Sequence, residues 1–326
     1  MRAVTINGFG DVDVLGMAEV ADPVIGPEEV LVAVNTTAMN RADLLQRMGL
    51  YAPPPGATDI PGLEFSGEVV QIGSRVTEAE VGERVMGIVG GGAHAELVAT
   101  HQRMLLKTPN NLSDSEAAAI PEVFLTAFDA LVIQGNLRSG GWALVHAGAS
   151  GVGTAAIQIA KAVGANVIVT ASTLKVAKCL ELGADVAVDY TQQNFLDEAM
   201  AATNGRGVDV VLDVIGPKYL NDNVAALRTG GFIIQVGLMG GVMAEFNMGA
   251  ILGKRAHLVG TTLRARDIED KIMRSQRFAH EILPLIASGV LRPVIDSVYP
   301  LDKIADAHAY METNANIGKI LLSVAG

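Results

Sequence analysis

Residues 142–165 read WALVHAGASGVGTAAIQIAKAVGA, and this stretch decides the fold. An apolar run of strand length, WALVH, enters Gly148-Ala149-Ser150-Gly151-Val152-Gly153, and an apolar-periodic helix pattern follows at once. Small residues at such a bend let backbone amides approach a pyrophosphate, and a helix that starts there aims the positive end of its dipole at the same point. Glycine spacing alone is a weak signal, because a ligand-free strand-to-helix turn uses the same residues. The surroundings strengthen it. Further apolar runs follow at 166–170, 186–189, 208–213, 231–236 and 256–260, with helical patterns at 152–163, 174–182, 194–203 and 217–228. Continuous apolar strands joined by helices indicate a parallel sheet covered on both faces, so this part of the chain is expected to be α/β and doubly wound, a dinucleotide-binding Rossmann domain.

Working outward, the texture before about residue 115 is β-like. Segments 28–38, 62–73, 83–89 and 93–100 alternate or run apolar between Gly, Pro and acidic turns, which predicts a mainly antiparallel, barrel-like domain. The amino terminus, MRAVTINGFG, alternates like a strand and has no apolar signal core. A proline-rich loop at 49–61, GLYAPPPGATDIP, is long enough to cover a cleft. After residue 266 come a helix at 277–288, a strand near 298–301, a short helix at 302–311 and the strand IGKILLSVA. The alternation of the parallel sheet stops near residue 262, so this tail is expected to rejoin the first domain. The division is then 1–118 with 266–326 for a catalytic domain and 119–265 for the Rossmann domain.

Composition narrows the function. A chain of 326 residues, half of them hydrophobic and 18% charged, is long enough for two cores and is not disordered. With 24 basic against 35 acidic residues the net charge is -11, the wrong sign for holding nucleic acid or anionic lipid. The longest stretch free of formal charge, 140–160, contains five glycines and a strand-turn-helix rhythm, which suits a soluble interior and not a membrane span. A lone cysteine, Cys179, forbids an internal disulfide and suits a reducing compartment, so a cytoplasmic address is expected. Cys179 falls on an apolar-periodic helix and reads as core; the six histidines have no metal-binding spacing.

The coenzyme type follows from local charge. An NAD site commonly has Asp or Glu about 20 residues past the glycines. Here that position reads Thr170-Ala171-Ser172-Thr173-Leu174-Lys175, and no carboxylate occurs between residues 130 and 180, whereas Arg138, Lys161, Lys175 and Lys178 do. A hydroxyl and an ammonium without a neighbouring carboxylate favour an extra phosphate, as in NADPH, although Ser172 and Lys175 also read as a helix cap and a solvated lysine. Tyr190, after the third strand, is placed to flank the adenosine end or to pack.

Residues 40–61 (NRADLLQRMGLYAPPPGATDIP), 146–158 (HAGASGVGTAAIQ), 237–241 (GLMGG) and 309–322 (AYMETNANIGKILL) resemble the zinc-free quinone oxidoreductases of the medium-chain dehydrogenase/reductase superfamily. Within them the subgroup of p53-inducible quinone oxidoreductases, relatives of zeta-crystallin, is most similar. The resemblance implies a GroES-like catalytic domain beside the Rossmann domain, NADPH-dependent reduction of quinones, and a homodimer or tetramer. Zinc alcohol dehydrogenases of the same build hold their metal with Cys, His and a carboxylate, where this chain reads AMNRAD (38–43) and PGLEFSG (61–67), with Asn40 and Leu63 at ligand places. No metal is therefore expected, and the substrate must be electrophilic unaided. By the resemblance, Asn40 and Thr126 lie near the nicotinamide and its ribose, and Ser150, Gly151 and Val152 face the pyrophosphate. Ser172, Lys175 and Tyr190 hold the 2′-phosphate end. Gly237, Leu238, Met239, Leu263 and Arg264 line the nicotinamide side, Asn316 closes over the coenzyme, and Tyr51 meets the substrate, stacking on it and donating a hydrogen bond. Asp43 and Glu64 are placed like family residues at the cleft, and each equally reads as a solvated or backbone-bonded carboxylate. Ser150 stands where the family usually has Gly, and the segment after the second strand is one residue short.

Two rivals share these features. A reductase of enoyl thioesters or other α,β-unsaturated carbonyls needs the same fold and coenzyme, and a nucleotide-loaded binding protein needs the fold without turnover.

Overall fold

Residues 142–165 fold into the strand Trp142–Val145, a bend, and the helix Gly151–Ala162. Small side chains govern the packing: Ala155, Ala156, Ile157, Ile159 and Ala160 are buried along the helix, while Ala143, Leu144 and Val145 are buried on the strand. A computed structural model describes residues 1–324 of the chain. It comprises two units, Thr126–Thr262 on the one hand and Met1–Leu125 with the chain from Leu263 onward on the other.

The unit Thr126–Thr262 is a Rossmann domain. Its six strands are all parallel and run in the order Val186–Asp189, Asn166–Ala171, Trp142–Val145, Val208–Asp213, Leu227–Gln235, His257–Gly260. The chain starts in the middle at Trp142–Val145, winds outward to one edge, then returns to wind outward to the other. The reversal between Trp142–Val145 and Val208–Asp213 is a topological switch point, where the carboxyl ends of the strands leave a crevice. Both segments that bound that crevice, 146–150 and 214–216, follow these two strands.

The other unit is built on a seven-stranded sheet. Its path runs Ile295–Pro300, Lys319–Ser323, Glu29–Ala38, Glu64–Ile72, Arg84–Ile88, Leu106–Lys107, with Leu97–His101 also pairing with Glu29–Ala38. Every pairing is antiparallel except Ile295–Pro300 with Lys319–Ser323. Val30, Val32 and Val34 of the central strand join Phe65, Val69, Val85, Val98, Ile320 and Leu322 in one core. The tail enters this unit through the pairs Leu321↔Ala38 and Leu322↔Thr37. That register brings Lys319 level with the residues just after Ala38.

Local readings and structure differ in two places. The units divide at residues 125 and 263 and not at 118 and 266. Helix Asp114–Ala118 packs on Glu29–Ala38 and Glu64–Ile72, and the first turn of the next helix, Pro121–Phe128, is tied to Glu64 through the Glu122 backbone N–H. The tail helix expected at 277–288 is instead Ile268–Glu281 followed by Leu283–Ala287. Pro284 has no N–H to continue the first helix and suits the opening turn of a new one. The first half escaped notice because Glu269, Asp270, Lys271 and Arg274 mask an apolar face that buries only Ile272 there. Among the described residues no helix is long and apolar enough to cross a membrane.

Candidate active site

The bend after Trp142–Val145 is held from below by a buried polar chain. Asp213, ending the neighbouring strand, accepts from Ile215 and Gly216 N–H through Oδ1 and from Asn223 Nδ2 through Oδ2 at 2.9 Å. Because that amide nitrogen is spent on Asp213, Asn223 Oδ1 must accept, and it takes His146 Nε2–H at 2.7 Å. His146 Nδ1 then accepts from the Thr170 hydroxyl at 3.1 Å, and Thr170 Oγ1 accepts the Ala147 N–H at 3.3 Å. Burial holds the His146 pKa below its usual value, so the ring is neutral, with Phe195 and Tyr219 packed on it at 4.8 Å each.

Above this chain the turn is tight. A Cβ on Gly148 would fall 2.6 Å from Val169 Cβ, and one on Gly153 would fall 2.4 Å from the Ala147 carbonyl oxygen. Ser150 N-caps the helix, its hydroxyl accepting Gly153 N–H at 3.0 Å. The N–H groups of Gly151 and Val152 have no acceptor among the described residues. Two unused donors at the start of a 12-residue helix, on a turn with no room for side chains, form a cradle that fits a pyrophosphate. Ser150, Gly151 and Val152 form this helix start, with the Ser150 hydroxyl turned to the helix.

Of the other residues assigned to the coenzyme, Ser172, Tyr190 and residues 237–239 follow the carboxyl ends of strands of the same sheet. Ser172 opens the helix Thr173–Glu181 without a side-chain capping bond, and Lys175 lies one turn on. Tyr190 follows the adjacent strand and is 49% exposed. One residue was missed. Asp189 lies beside Ala171 in register, outside the window searched for carboxylates, and only strand pairing brings it near Thr173. Hydrogen bonds from Thr173 and Thr191 hold its pKa low, so it is ionised and occupied. Gly237, Leu238 and Met239 run alongside the end of Val208–Asp213, with Met239 N–H bonded to Val214 O at 3.0 Å and the Leu238 and Met239 side chains half exposed. Thr126 is buried on the helix Pro121–Phe128.

In the antiparallel unit the central feature is a cation that the sequence reading passed over. Lys319, the charged residue of IGKILLSVA, is only 3% exposed. Its ammonium donates to Met39 O at 2.6 Å and Asn40 Oδ1 at 2.8 Å and forms an ion pair with Glu64 Oε1 at 2.7 Å. Glu64, fully buried, also accepts Asn40 Nδ2 at 2.9 Å and the Glu122 backbone N–H at 2.8 Å. Asn40 gives its other amide hydrogen to Ala38 O at 3.3 Å, so the whole amide is engaged by the protein. Asp43 closes the start of helix Arg41–Arg47 by accepting Asn40 N–H at 2.7 Å, and holds Gly62 N–H at 3.2 Å. Burial opposes its charge, but His94, 3.7 Å away, and these donors hold its pKa below the usual range.

Glu122 projects from the first turn of its helix, half-buried, with a carboxyl that accepts no hydrogen bond from the described residues. Burial and the neighbouring Glu64 carboxylate push its pKa to about 8, against the pull of Lys319. Arg264 donates to Gly90 O at 2.8 Å, Gln46 Oε1 at 2.7 Å and Tyr51 O at 3.4 Å, and its guanidinium lies 5.2 Å from the Tyr51 ring centroid. It pins the proline-rich loop. Burial raises the Tyr51 pKa, with Arg264 opposing. Leu263 is buried in this same unit, and Asn316 spends its amide on Gly318 O at 2.9 Å in the turn before Lys319–Ser323. Cys179 is buried with its thiol pushed up to about 11, which leaves no nucleophile there.

The oxygens of Met39, Asn40 and Glu64 are filled by the Lys319 ammonium, and Leu63 offers only hydrocarbon. A zinc ion would have to expel a buried lysine to reach an amide, a carbonyl and one carboxylate, so the donor set does not fit it.

Two family models match the chain. Residues 26–110 match the family model of the alcohol dehydrogenase GroES-like domain, and residues 182–322 match that of the zinc-binding dehydrogenases. The quinone oxidoreductase of Lama guanicoe is 32% identical over 99% of this chain and 97% of its own. A solved NAD-dependent alcohol dehydrogenase superposes with a TM-score of 0.89 at 32% identity, covering 100% of both chains. The Escherichia coli quinone oxidoreductase complexed with NADPH superposes with a TM-score of 0.88 at 27% identity, covering 99% of this chain and 100% of that one.

Removing the Lys319 charge leaves the buried Glu64 carboxyl without its ion-pair partner. Lys319→Met should cost about 3–5 kcal/mol in urea denaturation, and adding Glu64→Gln should recover a good part of it. A single-variant cost below about 1 kcal/mol, the range of an exposed pair, contradicts this account.

Proposed function

Because this chain belongs to the quinone oxidoreductase family of the medium-chain dehydrogenase/reductase superfamily, and is an oxidoreductase of that fold, we propose that it reduces quinones with NADPH and without a metal ion. The observation that carries the reading is the Lys319 ammonium. It fills the oxygen set where a Lewis acid would have to sit, so the substrate must accept hydride readily by itself, as a quinone does because its product is aromatic.

Each residue then has a task. Ser150 keeps the helix start in shape so that the free Gly151 and Val152 N–H groups hold the pyrophosphate. Ser172 and Lys175 take the 2′-phosphate, with Tyr190 flanking the adenosine end, and Asp189 stays turned to its own threonines. Gly237, Leu238 and Met239, with Thr126, border the nicotinamide. When bound, the coenzyme supplies a hydride from C4 of its nicotinamide. Tyr51, fixed by Arg264, offers a ring on which the quinone stacks and a hydroxyl for a hydrogen bond, but its raised pKa makes it a poor acid. Holding the acceptor in line can supply about 7–11 kcal/mol of the barrier reduction.

The unit Thr126–Thr262 ends its sheet in the open strand His257–Gly260, where Leu258 is exposed, as are Met248 and Leu252 of the preceding helix. An uncovered edge strand with an apolar flank invites a second copy, which supports a homodimer or a multiple of it. Light scattering on the purified chain should give at least twice the 34.0 kDa monomer mass; a monomer at micromolar concentration defeats this part.

The activity is tested by following coenzyme absorbance with 1,2-naphthoquinone and, in parallel, crotonyl-CoA. Oxidation of NADPH by the quinone, slower oxidation with NADH, and a preparation without stoichiometric zinc are expected. Lys175→Ala should weaken NADPH binding about 10-fold or more and leave NADH unchanged, as the loss of a charge-assisted hydrogen bond requires. Turnover of crotonyl-CoA alone would identify an enoyl-thioester reductase, and tight coenzyme binding without any turnover a binding protein.

Tyr51→Phe should keep kcat/KM within about 10-fold of the parent, the worth of one neutral hydrogen bond, whereas Tyr51→Ala should lose more because the loop also loses its contact with Arg264. An alanine variant as active as the parent would remove Tyr51 from the site.

A further inference from the structure

Reduction of a quinone by hydride leaves an anion, and the chain must supply or admit a proton. Tyr51 is unsuited, since burial raises its pKa. The same unit holds a second acid. Glu122 carries its carboxyl without a hydrogen-bond partner among the described residues, half-buried, within electrostatic reach of both Tyr51 and Arg264. Its backbone N–H is anchored on Glu64 Oε2 at 2.8 Å, so the helix start cannot drift from the ion pair. That arrangement is unusual for a surface glutamate at a helix start, which would be solvated and ionised.

We propose that Glu122 is the catalytic acid that protonates the reduced substrate. The inference rests on the quinone-reductase reading. The quinone takes up a hydride with its two electrons, the coenzyme is oxidised, and a hydroquinone monoanion results. The O–H bond of Glu122 then breaks, its proton passes to the anionic oxygen, and neutral hydroquinone leaves behind a Glu122 carboxylate. Water returns the proton. The sum is one quinone, one NADPH and one proton converted to hydroquinone and oxidised coenzyme.

The surroundings suit this role. Glu122 feels the charges of Glu64 on the strand Glu64–Ile72, Lys319 on the strand Lys319–Ser323, Asp43 on the helix Arg41–Arg47 and Arg264 on a loop, and in turn acts on Tyr51. Burial and the two carboxylates favour the protonated form, while Lys319 and Arg264 oppose it, and the balance lies at about 8. Such an acid is protonated at neutral pH and still able to give its proton up, the condition for efficient general acid catalysis. Since the pKa is raised, the proton is held below pH 8 and lost above it, so activity should fall as pH rises through 8.

The test compares parent, Glu122→Gln and Glu122→Asp with NADPH and 1,2-naphthoquinone across pH 6 to 10. Coenzyme binding by fluorescence confirms that each variant is folded. The parent should lose about tenfold in kcat per pH unit above 8. Glu122→Gln should lower kcat on the order of 10²-fold at pH 7 and abolish that limb, and Glu122→Asp should restore part of both. Independently of turnover, an infrared difference between parent and Glu122→Gln should contain a protonated-carboxyl band that titrates near pH 8. A parent that reduces the quinone, with a glutamine variant of equal kcat and the same pH limb, overturns the assignment alone. A parent that reduces no quinone overturns the quinone reading and this assignment with it.

Discussion

A buried ammonium organises the antiparallel unit. Lys319 reaches its place because the tail strand pairs antiparallel with Glu29–Ala38, and there it donates to Met39 O and Asn40 Oδ1 and pairs with Glu64 Oε1. A charge that deep is tolerable only with its partner and its hydrogen bonds all in place. The consequences spread outward. Glu64 is fixed, so it can anchor the Glu122 helix and orient the Asn40 amide. Asn40 is fixed, so helix Arg41–Arg47 starts where Asp43 can cap it, and Asp43 in turn secures Gly62.

The electrostatics around Glu122 follow from that same pair. A lone buried carboxylate at Glu64 would repel a second one strongly, and a lone ammonium would pull it to the ionised form. Together they oppose each other at Glu122, and desolvation, the largest influence there, favours the proton. A metal ion at this place would reverse that logic, because it would add positive charge and draw the neighbouring acids into ionised ligands.

The Rossmann unit solves a different problem, that of presenting donors to an anion without a cation. Its turn is braced by neutral groups, Thr170, His146 and Asn223, in a chain that ends on Asp213. Each member has one available role, so the direction of every bond is fixed and the strand ends are locked together across the switch point. Glycine at 148 and 153 is required by contact with Val169 and with the Ala147 carbonyl. The positive end of the helix, with two free N–H groups, is what remains for a ligand.

How much of this could be read in advance depends on the range of the interaction. Periodicity and glycine placement are local properties, so the parallel strands, their helices, the phosphate turn and the antiparallel character of the first hundred residues were legible from sequence. Charge masking hid the start of helix Ile268–Glu281, although Pro284 was a visible stop. Lys319 had left a signal as well, a single charge inside an apolar strand, and a partner could have been sought for it. No local pattern could say that the partner was Glu64, nor that Asp189 would lie beside Ala171, because those meetings are made by strand register. The sequence by itself determined the two fold types and the glycine turn between strand and helix, since both depend on neighbours within one or two elements. Only the tertiary structure engages the Asn40 amide with Lys319 and Glu64 and raises the affinity of Glu122 for its proton, because burial and the charges of distant segments set that affinity.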